Sequence, residues 1–343
     1  MTKNLKTKID DKLNKKIYFS SANTAAGLVN YSSPVFNPQN FDKIYIIKGI
    51  FAQNFISKIA EKYSCECFLN PVNPAKTDGL IINKTAVIDG VFANYDESLY
   101  PALIINLGEF CDLNILNQNK EQISRIIKQK QTINKLTRKF LKAASELADY
   151  FLELSAEYLN EKKLISAIDR ILNKRLIDIK NIQTDYRFIN SVAAGELDTL
   201  EKEANKIFYI SNEYLTGFHF MRYIAKKTTG SKIICPDASD IKNIRAVYIN
   251  DEKILFALQS KSEKLYDDKY NHINMERFVS PDLKKAHKQK LKFIKKTYDA
   301  LIAEVKDCFT NIDSLNKELE KIYAQSLDYD AQQKFTTDFL KKL

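Results

Sequence analysis

Glycine is scarce in this chain, with 8 in 343 residues, about 2% against a usual share near 7%. Loops that cradle phosphate depend on glycine for close backbone approach, so the shortage bears directly on nucleotide chemistry. No glycine is followed by lysine, which excludes the GxxxxGK[ST] phosphate loop in every register. Tryptophan is absent. The five cysteines (Cys65, Cys67, Cys111, Cys235, Cys308) include no CxxC pair, which excludes the usual zinc-ribbon and thioredoxin-type spacings. No apolar run reaches the length of a membrane span. The first sixteen residues are charged and lack the apolar core of a secretory signal. Together these absences predict a protein without a membrane span, with reduced thiols, in the cytoplasm.

What is present suits globular domains. Hydrophobic residues make up 45% of the chain, with 20 Phe and 18 Tyr, enough for real cores. The net charge of +10 comes mainly from lysines spread along the chain. A basic protein can bind nucleic acid, but dispersed charge argues against that partner.

The chain contains itself twice. Phe19 to Gly27 is echoed by Phe188 to Gly195, and Lys43-Ile-Tyr-Ile-Ile47 by Lys206-Ile-Phe-Tyr-Ile210. Each of those apolar runs leads through a short loop into a helical stretch (Phe55 to Lys62; Met221 to Lys227). A proline-containing loop and further apolar strands follow, Ala86 to Ile88 in one copy and Ile254 to Leu258 in the other. The offset of about 163 to 169 residues sets the domain length. Residues 109–194 and 282–343 contain neither glycine nor proline. Apolar residues recur there at steps of three and four, as at Ile123, Ile126, Ile133, Leu136, Phe140, Leu141, Ala144, Leu147 and Phe151. That period predicts amphipathic helices. Short apolar strands alternating with helices predict α/β domains, each with a mostly parallel sheet, flanking helices and a long helical tail. The expected division is 1–178, with a tail from about 113, and 179–343, with a tail from about 282.

A strand that runs through a loop into a helix is where P-loop proteins hold phosphate. The first such segment is Ile47-Lys48-Gly49-Ile50-Phe51-Ala52-Gln53-Asn54-Phe55, and the second runs from Ile210 to His219. The Lys43 to Gly49 strand, Thr77-Asp78-Gly79-Leu80-Ile81-Ile82-Asn83, Thr85-Ala86-Val87-Ile88-Asp89-Gly90 and Ile104-Ile-Asn-Leu-Gly-Glu-Phe110 carry a resemblance. In these segments the chain resembles an uncharacterised bacterial family, found mainly in clostridia, of proteins with two tandem P-loop ATPase-like domains. The resemblance spans nearly the whole chain, more closely in the first repeat than in the second. It implies two P-loop NTPase-like domains, ATP with Mg²⁺ as ligand, and Asp89 as a Walker-B-like carboxylate that holds the metal. The departure lies at the loops. The first is about two residues short, with Ala52 and Gln53 near the Lys and Ser/Thr places, and the second has Gly217 or Phe218 where the lysine would stand.

Residual phosphate-loop character therefore falls on Lys48, Gly49, Gln53 and Asn54, and residual metal binding on Asp89. A strand-end cap is the plainer role for Asp89, and a solvated or snorkelling side chain for Lys48. The leading expectation is a degenerate P-loop ATPase-like protein without ATP hydrolysis, a binding or scaffolding protein that needs no cofactor and meets some protein partner. Against it stands a divergent ATPase that uses Lys48 and Asp89 on ATP and Mg²⁺ in the first domain. From another class stands a basic nucleic-acid-binding protein that uses the seven lysines of residues 284–296. The solvated face of a helix is the plainer reading of those lysines. Cys65-Glu66-Cys67 offers two thiols, but zinc asks for four ligands, and the three histidines (His219, His272, His287) all lie in the second half. Packing as small hydrophobes is the plainer reading of these thiols. His219, between Phe218 and Phe220 at a helix start, could meet an anion or simply pack.

Overall fold

The structure, a computed structural model, describes residues 15–93, 102–172, 183–259 and 269–343. The expected division between residues 178 and 179 lies outside them. The first half contains β1 (Lys16–Phe19), a hairpin of β2 (Ser21–Thr24) and β3 (Gly27–Asn30), β4 (Lys43–Lys48), α1 (Ala52–Ala60), β5 (Glu66–Leu69), β6 (Thr77–Ile82), β7 (Thr85–Asp89), β8 (Leu103–Asn106), α2 (Lys120–Ala156) and α3 (Glu161–Leu172). The second half repeats that order. It contains β9 (Thr184–Tyr186), β10 (Asn190–Ser191), β11 (Gly195–Glu196), β12 (Lys206–Ser211), α4 (Gly217–Lys227), β13 (Lys232–Pro236), β14 (Ile244–Ile249), β15 (Ile254–Gln259), β16 (Tyr270–Ile273), α5 (Asp282–Gln325) and α6 (Tyr329–Leu340). Short helical turns fill some of the connections.

The two sheets have one topology. The first is ordered β1-β5-β6-β7-β4-β8, and the second β9-β13-β14-β15-β12-β16. In the first, three pairings are parallel (β1 with β5, β7 with β4, β4 with β8), and β6 runs antiparallel to both of its neighbours. The reversal arises at a two-residue turn, Asn83-Lys84, where Asn83 takes φ 51°, a left-handed conformation that asparagine tolerates. Lys253 with φ 52° makes the matching turn. The fold is thus α/β with two six-stranded, mostly parallel sheets.

Side chains alternate across each strand, and here both sides are buried. Ile44, Ile46, Phe68, Ala86 and Ile88 pack in one core with Ile207, Tyr209, Cys235, Ala246, Tyr248, Leu255 and Ala257 of the other sheet. The sheets therefore meet face to face, and helices flank each sheet on its outer face. Arg187 spans this contact, pairing with Glu66 at 3.0 Å and lying over the rings of Tyr18 and Phe68. The outer face of the first sheet (Tyr45, Ile47, Cys67, Leu69, Leu80, Val87) packs against Phe55, Ile56 and Ile59 of α1. The outer face of the second sheet (Phe208, Ile210, Val247, Phe256, Leu258) packs against Phe218, Phe220, Met221 and Ile224 of α4.

The helical tails cross over. Helices α2 and α5 pair antiparallel along their apolar stripes. Ile126 meets Leu319 and Ile322, Leu141 meets Val305, Phe309 and Ile312, and Phe151 with Leu154 meets Leu283, Leu291 and Ile294. Leu136, expected on that stripe, is 44% exposed, because it sits on the shoulder of the helix outside the seam. Each long helix carries its terminal helix to the other half. Leu164, Ile168 and Leu172 of α3 complete the core over the second sheet. Phe339 of α6 stands 4.9 Å from the ring of Tyr45 and 5.4 Å from that of Phe55, over the first sheet. The crossings use the same backbone bonds. Asn160 N–H donates to Phe278 O at 2.7 Å and Ser280 N–H to Tyr158 O at 2.8 Å. In the mirror image, Asp328 N–H donates to Phe110 O at 2.8 Å and Asp112 N–H to Ser326 O at 2.7 Å.

Because α6 closes the outer core of the first sheet, a single truncation at the far end of the chain should loosen the first half. Phe339→Ala is expected to lower unfolding stability by about 3 kcal/mol, the usual cost of emptying a buried phenylalanine site. Urea denaturation followed by circular dichroism measures this. A loss below about 1 kcal/mol would show that α6 is not part of that core.

Candidate functional site

At the first strand–helix junction, only Gly49, Ile50 and Phe51 separate the end of β4 from the start of α1. Lys48 is exposed at the strand end, in register with Asn106 of β8. Gly49 has φ +113°, and a Cβ there would stand 3.2 Å from the amide nitrogen of Gly108, so the position favours glycine for both reasons. Gly49 thus seats the turn against the Asn106-Leu-Gly108 segment. Ile50 leaves the sheet and packs against the cluster of Ile126 of α2 with Leu319 and Ile322 of α5. Phe51 is half-buried against the core beneath α1. Ala52 N–H donates back to Gly49 O at 3.1 Å, which closes the turn on itself. The three-residue connection is too short to wrap a phosphate.

Gln53 lies in the first turn of α1, and its amide points at acid. Its Nε2 donates to Oδ1 of Asp78 at 2.7 Å. Asp78 also accepts from the Ser20 hydroxyl at 2.5 Å and from Asn70 Nδ2 at 3.2 and 3.3 Å. Asp78 and Asp89 stand one residue beyond the Gly79–Ile88 pair of β6 and β7, so the antiparallel register sets the two carboxylates side by side. Both are buried, Asp78 at 4% exposure. Asp89 Oδ1 accepts from the Val91 amide at 3.0 Å, as a strand-end cap does. Burial pushes Asp78 up to about 7, the charge of Asp89 adding to the rise while bonds from Ser20, Asn70 and Gln53 offset part of it. Burial likewise pushes Asp89 up to about 6, against the Val91 amide and the Gln53 side chain. Gln53 and Asp89 therefore meet in one network. Lys48 and Gly49 are exposed at the end of β4, and Asn54 is half-buried one residue past Gln53.

The second junction carries different chemistry at the same places. Leu258 pairs with Ile210 as Asp89 pairs with Ile47, which puts Leu258, one residue past Ala257, in the position of the acid. Arg245 takes the place of Asp78 and forms two bonds with Glu196, at 3.0 and 2.6 Å. At the helix start, a Cβ on Gly217 would meet Leu258 Cδ2 at 2.7 Å and Asn212 Oδ1 at 2.8 Å, so that space is filled. Tyr214 and Leu215 both take φ 58° in the turn before α4, a conformation that costs about 1 kcal/mol or more per residue. His219 is partly buried, its Nε2 has no hydrogen-bond partner among the described residues, and burial lowers its pKa.

The remaining candidates disperse. Among the described residues, no group of three or more His, Cys, Asp or Glu side chains gathers to hold a metal. Lys285, Lys288, Lys292, Lys295 and Lys296 are exposed along α5, and Lys290 lies 4.8 Å above the ring of Tyr150. The side chain of Lys284 lies outside the described residues. A groove of about 1110 Å³ opens between the N-terminal part of α2 and α5, lined by Lys120, Arg125, Lys128, Thr132, Ser314 and Leu315. It shares no residue with either junction.

Asp78, Ser20 and Asn70 were not among the expected site residues. The available signal was an acid inside an otherwise apolar strand, Thr77-Asp78-Gly79-Leu80-Ile81-Ile82; only the strand register shows what it faces. No family model, no curated protein sequence and no solved structure matches this chain. Among the described residues, no helix is long and apolar enough to cross a membrane.

An acid held at a raised pKa binds its proton more tightly in the folded state than in the unfolded chain. Its contribution is then most favourable at low pH and is lost as pH rises from about 4 toward 7. Asp78→Asn should therefore be more stable than the parent at about pH 8, by roughly 2 kcal/mol, with the gain shrinking toward pH 5. Urea midpoints at the two pH values check this. An equal difference at both would mean that Asp78 does not carry a buried charge.

Proposed function

We propose that this chain is a degenerate relative of the tandem P-loop ATPase-like proteins, a binding or scaffolding protein that does not hydrolyse ATP. The observation that carries this reading is Ile50. It occupies the turn where a phosphate loop would open and is held there by α2 and α5. The second half supports the same reading independently, with Leu258 and Asn212 crowding the start of α4. Neither helix start carries the glycine–lysine–hydroxyl order that phosphate and Mg²⁺ require, and the Thr216 hydroxyl before α4 donates to Glu213 O. Two losses of one chemistry, with both sheets and both tails kept, are what selection for shape without selection for phosphate transfer would leave.

Calorimetric titration with ATP and Mg²⁺ tests this. Each missing charge-assisted bond is worth roughly 1.5–3 kcal/mol, and three together exceed about 4 kcal/mol, on the order of a thousandfold in affinity. The expected result is no binding in the micromolar range. Stoichiometric micromolar binding would establish the divergent ATPase reading instead, which the convergence of Gln53, Asp78 and Asp89 at the first junction favours.

The lysines of α5 read as a solvated face. The antiparallel pairing runs them beside the segment of α2 that carries Glu146, Asp149 and Glu153. No complex with duplex or single-stranded nucleic acid is expected at physiological salt. Fluorescence anisotropy decides the matter. A submicromolar complex that weakens steeply with added salt, and less steeply after neutralisation of Lys285, Lys288 and Lys292, would reverse this assignment.

A further inference from the structure

Cys65 and Cys67 sit at the start of β5, where residues two apart share one face of the strand. Their Sγ atoms stand 3.1 Å apart. Among the described residues, no other two of the five cysteines are in contact. Cys235 and Cys308 are buried alone, and Cys111 is half-buried. Cys67 is sealed beneath the first sheet's outer core, whereas Cys65 keeps 6% of its surface open beside exposed Ser64.

We propose that Cys65 and Cys67 are a reversible redox site, in which a small hydroperoxide oxidises the two thiols to an intramolecular disulfide. This inference stands apart from the reading of the strand–helix junctions. The roles of the two sulfurs follow from their surroundings. The Cys67 hydrogen bond holds the Cys65 thiol below its ordinary value, with Lys15 adding to this against the effect of burial. The same bond, together with burial, holds the Cys67 thiol well above its ordinary value. Cys65 is thus the nucleophile and Cys67 the resolving thiol.

In the first step the Cys65 thiolate attacks one oxygen of hydrogen peroxide and the O–O bond breaks. The departing hydroxide takes a proton and leaves as water, and Cys65 becomes a sulfenic acid. In the second step the Cys67 sulfur attacks the Cys65 sulfur. The S–S bond forms, the S–O bond breaks, and the hydroxyl leaves with the Cys67 proton as a second water. Two thiols give up two electrons and two protons, and one peroxide becomes two waters. Closing the bond brings the sulfurs from 3.1 Å to about 2.05 Å, a movement of roughly one ångström. Thiol–disulfide exchange with an external dithiol reverses it.

The full-length protein tests this directly. Trypsin releases residues 63–76 as one peptide that holds both cysteines and has no internal Lys or Arg. After treatment of the native protein with sub-millimolar hydrogen peroxide and capping of free thiols, that peptide should be uncapped and lighter by two hydrogens. Dithiothreitol should restore it. In Cys67→Ser, oxidation should stop at a sulfenic acid on Cys65 that dimedone traps. In Cys65→Ser, neither the disulfide nor dimedone labelling of Cys67 should form. The proposal is overturned if the wild-type peptide stays fully capped while Cys111 oxidises, if it gains oxygen without losing hydrogens, or if dithiothreitol fails to restore it.

Discussion

Everything in this molecule leans on the antiparallel seam between α2 and α5. The apolar stripe of each helix is covered mainly by the same stripe of the other copy. A helix of 37 residues reaches about 55 Å, enough to carry α3 away from the sheet that precedes it and onto the other. The exchange is reciprocal, with matching backbone bonds at both crossings. Neither sheet completes its outer layer without the other half's tail. The two halves are therefore bound by shared cores rather than by a linker.

The same seam governs the place where chemistry would be sought. A phosphate loop needs room above the end of its strand and amides turned into that room. Here Ile50 turns into the seam, and a three-residue connection leaves no amide cradle. What lies behind it in the first half is a closed set of hydrogen bonds around two acids. In the second half the equivalent positions hold an apolar residue and an arginine–glutamate pair. The two junctions have diverged in opposite ways within one backbone plan.

Much of the plan was legible beforehand. The repeat could be read because the Phe19 to Gly27 and Lys43 to Ile47 segments each recur in the second copy, in the same order. The tail helices could be read because a stripe at steps of three and four survives without glycine or proline to interrupt it. The antiparallel turn at Asn83-Lys84 was missed, because its only local mark is one asparagine between two apolar runs. Asp78 was missed for another reason. A single acid in a strand is ambiguous until the neighbouring strand shows whether it faces water or, as here, Gln53, Ser20 and Asp89.

By itself the sequence determined the duplication, the alternation of strands and helices, and the absence of a glycine–lysine pair from both helix starts. These are local facts, written in the identity and spacing of neighbouring residues. Only the tertiary structure decided that the sheets pack face to face, that the tails cross to opposite halves, and that the Cys65 and Cys67 sulfurs lie in contact under the first sheet's outer core. An apolar stripe states that a surface must be covered, but it does not state by what. Many partners of equal hydrophobicity satisfy it, and the choice among them rests on shape and chain reach, which emerge only when the whole chain is packed.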